Sequence, residues 1–308
     1  MNCFVSALVC FSFLSVACSR PPVQTAAAQA PPAVEYVSTW GSHGAGPGQF
    51  AAPIAMASDG ESIIYIADAA TGFVHKFSPS GEPRLSFQDD RMDLHPSDIA
   101  VDAGAAIYVA DARRGTVVIF FSDGMHHRAL RPGALAGAHD SLHIGVDAYG
   151  TIYATAKNPF GVRRFSPALR LIGNWGRGPS RDAMVENPSS LALGPDGLVY
   201  IAESDHPQIK VFDPQGTPQR TIAPPKEATE AHLSGIAVNA KYIFAVNATN
   251  PAVFVWSLDG TYRLTQDLSP WIPTAENAVA RKVVVTPAGD LLVLDPAASR
   301  VFRFRLHL

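Results

Sequence analysis

Three histidines, His95, His143 and His232, each fall within a few residues of the start of a short apolar run. Three imidazoles converging on one point would hold zinc and leave a position open for water or substrate, the arrangement used in metal-dependent elimination and hydrolysis. Their offsets from the apolar runs differ, so the same positions also fit separate polar side chains in loops. Four acids, Asp68, Asp111, Glu203 and Asp295, each end a second type of apolar run and have the look of a ring of carboxylates. Reaction centres need unlike groups on one atom. A short carboxylate repeated just past a strand instead accepts hydrogen bonds from turn amides, so these four are expected to be architectural. A third group combines Trp271 and Phe160 with Arg113, Arg114, Lys157 and His206. Aromatic rings interleaved with cations suit a peptide or glycan ligand, unless Trp271 packs beneath its own loop. No G-x-S-x-G supports a serine nucleophile. The glycine-rich run 41–53 (GSHGAGPGQFAAP) lacks the G-x-G-x-x-G and G-K-S/T spacings of a phosphate cradle.

The elements that carry these residues recur six times. The second apolar run of each unit reads IYIAD (64–68), IYVAD (107–111), IYATA (152–156), VYIAE (199–203), IFAVN (243–247) and LLVLD (291–295). The third reads VHKF (74–77), VVIF (117–120), VRRF (162–165), IKVF (209–212), VFVW (253–256) and VFRF (301–304), and turn sequences such as SPSG (78–81) and DPQG (213–216) follow. Equivalent positions lie 43 to 48 residues apart. A period in the forties with three or four strands per unit predicts a β-propeller, here all-β with six blades. The second strands are apolar throughout, as befits sheets packed between two neighbours. After VFRFRL (301–306) the last blade lacks an outer strand, and EYVSTW (35–40) is expected to supply it. The glycine run then becomes a joint from the outer edge of one blade to the axis of the next, as does 174–193 before the fourth unit.

These motifs resemble the NHL-repeat family, whose units run G-x-G-x-F-x-x-P, inner strand, Asp-x-x-Gly, I-Y-V-A-D, R-I-x-x-F. The resemblance covers about residues 36–306 and is weakest in the third and fifth units, where Thr155 or Ala156 and Asn247 replace the final Asp. It implies a six-bladed propeller and no single function, since members include RNA-binding modules, sensor ectodomains, a zinc lyase and bacterial lipoproteins. In the propeller lyases the zinc histidines open the inner strands. The corresponding places here are Ile54, Ser97, Leu142, Ser189, Ser234 and Arg281, none a histidine. The basic pairs Arg113–Arg114, Arg163–Arg164 and Arg281–Lys282 are expected to be solvated loop and strand positions rather than an RNA surface.

Composition points the same way. Charged residues make up 17 % of the 308, with 24 Gly, 25 Pro and a formal charge of −3, which suits many short strands and gives no attraction for nucleic acid. All three cysteines (Cys3, Cys10, Cys18) fall at the N-terminus, so the body holds neither disulfide nor thiolate metal site. The apolar run 4–17 has the length of a signal-peptide core, and SVAC (15–18) resembles a bacterial lipobox with Ser15 in place of its usual Leu. Residues 1–18 are thus expected to be an export signal ending in a lipidated Cys18, 19–34 a Pro- and Ala-rich tether, and 35–308 the propeller. The expected protein is an exported, membrane-anchored monomer facing periplasm or cell surface. It would bind an envelope protein, peptide or glycan through its loop-rich face without cofactor or catalysis. A metal-dependent lyase or lactone hydrolase using His95, His143 and His232 is the alternative.

Overall fold

A computed structural model describes residues 34–131, 133–138, 142–157, 160–228, 231–248, 250–272 and 282–308. The apolar runs form six four-stranded sheets with sequential antiparallel pairing in the first five. In blade one the strands run from axis to rim as Pro53–Ser58, Ile64–Asp68, Val74–Phe77 and Pro83–Phe87. The innermost strands of the other blades are Pro96–Val101, His143–Val146, Pro188–Leu193, Leu233–Val238 and Lys282–Val285. Each innermost strand neighbours the next, and the sixth returns to the first, so the ring is closed. All described residues belong to one compact unit, Pro32–Leu308. The export signal, Cys18 and residues 19–33 of the tether lie outside the described residues.

The sixth blade takes its outer strand from the other end of the chain. Val34–Trp40 pairs antiparallel with Arg300–Leu306, from Val34 against Leu306 to Trp40 against Val301, with a bulge between Tyr36 and Ser38. The expected latch is therefore formed, and the sixth sheet gains a fourth strand. The glycine run serves as the joint. Ser42–His43 pairs parallel with Gln49–Phe50, and Gly41 adopts φ 93° where a Cβ would meet the Phe50 ring at 2.7 Å.

Burial explains the loss of alternation in the strands. All five residues of Ile64–Asp68 are buried, because each sheet is covered on both faces. The third-strand aromatics Phe77, Phe120, Phe165, Phe212, Trp256 and Phe304 are all buried. Clusters span adjacent blades: Phe50, Ile66 and Phe77 join Leu292, Leu294 and Val301 across the closure. Each such side chain contributes about 1.5–3 kcal/mol on full burial. The tyrosine of the second strand is tied to the turn before it, with Tyr65, Tyr108 and Tyr200 hydroxyls donating to Asp59, Asp102 and Asp196 at 3.0, 2.9 and 2.7 Å.

A repeated wedge sets the spacing between blades. The hairpin glycines Gly81, Gly124 and Gly216 have φ of 88°, 86° and 90°. A Cβ on them would lie 2.4, 2.6 and 2.3 Å from Trp40, Phe87 and Trp175, each from the outer strand of the preceding blade. The bare backbone receives a large ring that a side chain would displace. Replacing Gly216 by Ala should therefore lower stability by about 1–3 kcal/mol through overpacking, with further cost from its left-handed φ. Urea denaturation measures this directly; a Gly197→Ala control, also at positive φ but with open space around it, isolates the backbone part.

Candidate functional site

The recurrent acids are structural staples, and their hydrogen bonds show how. Asp68 Oδ2 accepts from Ala51 N and Ala52 N at 2.6 and 3.1 Å, while its Oδ1 accepts from Ala70 N and Thr71 N at 3.0 and 3.1 Å. One carboxylate thus pins the incoming joint to the outgoing loop. Asp111 does the same with His95 N and Arg114 N at 3.2 and 2.9 Å. Glu203 accepts from Glu186 N at 2.8 Å and pairs with the buried Lys210 ammonium at 3.0 Å. In the divergent fifth unit Asn247 still accepts from His232 N at 3.0 Å, and in the third Thr155 turns its hydroxyl to Gly161 O at 3.0 Å. Asn247 keeps the acceptor without the charge, whereas Thr155 acts as a donor.

The axis is built from one residue per blade. Strand register places Ala55, Asp98, His143, Ser190, Gly235 and Lys282 opposite the fourth residue of the respective second strands, Ala67, Ala110, Thr155, Ala202, Val246 and Leu294. This tier lies one residue beyond the positions that the lyase resemblance singled out. Lys282 Nζ reaches Asp98 Oδ1 at 2.8 Å. The two come from blades six and two, so the pair passes over blade one, where small Ala55 leaves room; Gly235 does so on the other side. Asp98 also accepts from Ile99 N at 3.0 Å and Ile144 N at 3.1 Å, and Ser190 Oγ accepts from Ile236 N at 3.3 Å. Asp98 and Ser190 therefore bolt their inner strands to that of the next blade. The basic pair at 281–282 was expected to be solvated; Lys282 is instead 9 % exposed, because its ammonium is needed by a buried carboxylate.

His143 Nδ1 stands 3.5 Å from Asp98 Oδ2, a charge contact without a well-aligned hydrogen bond. Burial lowers the His143 pKa and outweighs the pull of Asp98, with Lys282 pushing the same way as burial. For Asp98, burial opposes ionisation, but Lys282 and His143 overcome it and hold the carboxyl at about 2. At neutral pH the tier is thus a Lys⁺–Asp⁻ pair beside a neutral imidazole.

Above this tier, on the face of the joints, a cavity of about 650 Å³ opens. His95, His143 and His232 all line it, together with Arg113 and Lys282. Ser97, Ser189 and Ser234 also line it and donate to the strand carbonyls of Ala110, Ala202 and Val246 at 3.3, 3.3 and 3.5 Å. The three histidines share the cavity without converging. His95 Nδ1 lies 3.1 Å from Asp93 O and 3.3 Å from Arg114 Nη1, and among the described residues no three His, Cys, Asp or Glu are grouped to hold a metal ion. Beneath the tier a smaller space of about 220 Å³ continues along the axis between the inner strands.

The remaining site candidates scatter. Arg113 is exposed at the cavity, whereas Arg114 is held by Asp111 at 3.0 Å and by the carbonyl of Asp93. Lys157 and His206 meet in a separate cleft of about 290 Å³ with Glu186 and Asp205. Phe160 is 3 % exposed and sits under the Arg163 guanidinium, 4.2 Å from the ring centroid, so it offers no ring to solvent. Trp271 stacks on Tyr36 at 6.1 Å and meets Phe304 edge-on at 5.6 Å. It packs against the closing strands. The tier was missed because Asp98, His143 and Lys282 look unrelated in sequence. Stacking the six inner strands would have shown one column reading Ala, Asp, His, Ser, Gly, Lys directly before a short run of mostly apolar residues.

Comparison with known proteins bears on the fold alone. No family model matches the chain, and no curated protein does. A streptogramin B lyase structure superposes with a TM-score of 0.58 at 12 % identity, covering 84 % of this chain and 94 % of that one. Virginiamycin B lyase from Staphylococcus aureus gives a TM-score of 0.58 at 12 % identity, covering 83 % and 95 %. A protein of unknown function from Bacteroides thetaiotaomicron gives 0.66 at 16 % identity, covering 89 % and 76 %. The chain shares the propeller fold of these structures.

The tier makes stability depend on pH with a defined sign. His143 titrates lower folded than unfolded, so below its ordinary value of 6.5 the unfolded chain binds the extra proton and stability falls with falling pH. His75, lowered by burial, contributes in the same window. The Asp98 contribution is full above the ordinary 3.8 and is lost as pH drops through about 2. Melting temperature should decline from pH 7 to 5, and His143→Gln should flatten part of that decline; an unchanged slope in the variant would contradict the assignment.

Proposed function

We propose that the protein is an exported, lipid-anchored bacterial binding protein that recognises a protein, peptide or glycan of the cell envelope through the loop-rich face of its propeller, without catalysis. The observation that carries this reading is the state of the polar groups on that face. Among the described residues Asp68, Asp111 and Glu203 are spent on backbone amides, Ser97 and Ser189 on strand carbonyls and the axial Asp98 on Lys282, which leaves little there to act as a pair of unlike groups on one reacting atom. What the face offers is a shaped opening rimmed by joints of varied length and sequence, the property of a recognition surface on a rigid scaffold. The apolar leader 4–17 and Cys18 support export and anchoring. Arg113 at the cavity, with Lys157 and His206 in the neighbouring cleft, would supply cationic contacts.

A second reading is favoured by one observation, the three histidines around a single axial cavity. It makes the protein a metal-dependent lyase or lactone hydrolase of the propeller kind, with loop movement gathering the imidazoles. The two separate in one pair of measurements on untagged full-length protein. Stoichiometric zinc or calcium, lost when His95, His143 and His232 are replaced by Gln, would establish the enzyme. Capture of envelope proteins or glycans that falls about tenfold in a Lys157→Ala, His206→Ala variant establishes the binding protein; undiminished capture would remove this face from the reading.

A further inference from the structure

We propose that the axial cavity binds a small organic monoanion, a carboxylate on an apolar body, with the carboxylate held between Arg113 and the Lys282 ammonium. This deepens the binding reading above by naming the chemistry of the group that enters the axis.

Arg113, Lys282 and the three histidines face the cavity, and no Asp or Glu is among its described lining residues. Asp98 lies below the cavity and is already engaged, and Asp111 beside the cavity is taken up by His95 N and Arg114. Lys282 and Ile99 N fill Oδ1 of Asp98, while Ile144 N fills its Oδ2. An ammonium carries three donors, and Asp98 Oδ1 is its hydrogen-bond partner among the described residues. Two donors therefore remain for a group arriving from the cavity. Asp98 fixes the ammonium from beneath at 2.8 Å, so the donors are placed before the ligand comes.

Counting charge selects the ligand. Among the described lining residues Lys282 is offset by Asp98 and burial keeps His143 neutral, which leaves Arg113 as the uncompensated fixed cation. One excess positive charge matches a carboxylate and falls short of a phosphate dianion. Position adds to this, since a planar guanidinium receives a carboxylate through two parallel hydrogen bonds. Besides four serines, the rest of the described wall is apolar: Ile54, Pro96 and Leu233 on the joint side, and Ala69, Ala112 and Ala248 where second strands end. Such a wall takes an alkyl or aryl body, and about 650 Å³ is the size of a small-molecule site.

The test uses two matched pairs of probes, N-acetyl-leucine and 4-phenylbutyrate against their primary amides, titrated calorimetrically into the full-length protein. The acids should bind, the amides about tenfold more weakly, and Arg113→Gln, an exposed change, should cost the acids about tenfold while leaving the amides unchanged. Because Lys282→Met alone would strand Asp98 and threaten folding, the floor is tested with Asp98→Asn and Lys282→Met together, which should abolish discrimination between acid and amide while the melting curve stays cooperative. Absence of acid binding, equal binding of acid and amide, or unaltered acid affinity in both variants overturns the proposal. The two readings fail separately. Acids that do not bind leave capture of a larger partner by the loop face untouched, and discriminating acid binding without such capture removes only the larger partner.

Discussion

Six twisted sheets set around an axis as wedges leave two unpaired edges unless the ends of the chain meet, and the pairing of Val34–Trp40 with Arg300–Leu306 is where they do. An open ring would expose a row of unsatisfied amides and carbonyls and would let the first and last blades part. Closure is reinforced by apolar contact on both sides. Trp40 packs on Phe77 at 4.5 Å in blade one, while Tyr36, Phe304 and Trp271 form an aromatic cluster in blade six. The position of Trp271 follows from this: a ring used to seal the closure is not available for a ligand.

Closure also creates the axis. It brings the inner strand of blade six beside that of blade one, and only then can Lys282 find Asp98, 184 residues away in the chain. A buried ion pair is a modest contributor to net stability, because desolvation offsets most of the attraction, yet removing one partner alone is costly. The pair is better understood as fixing geometry. It ties blades six and two together past blade one, divides the axial space into a larger cavity and a narrower continuation, and sets a cation at the base of the former. The same interaction that ties the shaft together therefore defines the floor of the site.

The division of labour between scaffold and site follows. Carboxylates after the second strands are used up by the backbone of the joints, and hairpin glycines are used up by aromatic wedges from the preceding blade. These devices repeat because each blade meets the same packing problem. Departures from repetition concentrate where nothing structural demands uniformity, in the tier facing the axis and in the loops around its mouth. Chemistry in a propeller is sought where the repeats differ.

The sequence alone determined the number of blades, the strands of each, the latch from the N-terminal side and the structural role of Asp68, Asp111 and Glu203. All of these follow from local apolar pattern, turn chemistry and period, which a linear chain displays directly. It also placed His95, His143 and His232 near the axial mouth, because strand starts can be read from the repeat. Tertiary structure decided which of the candidate residues meet. Phe160 lies in an apolar run's shadow and is buried, Arg114 is drawn to Asp111, and Lys157 and His206 occupy a cleft apart from Arg113. Asp98 and Lys282 became partners only through ring closure. Distance along the chain carries no information about separation across a closed ring, and the bulge that turns the tier toward the axis shifts the decisive column by one residue from where the family pattern would put it.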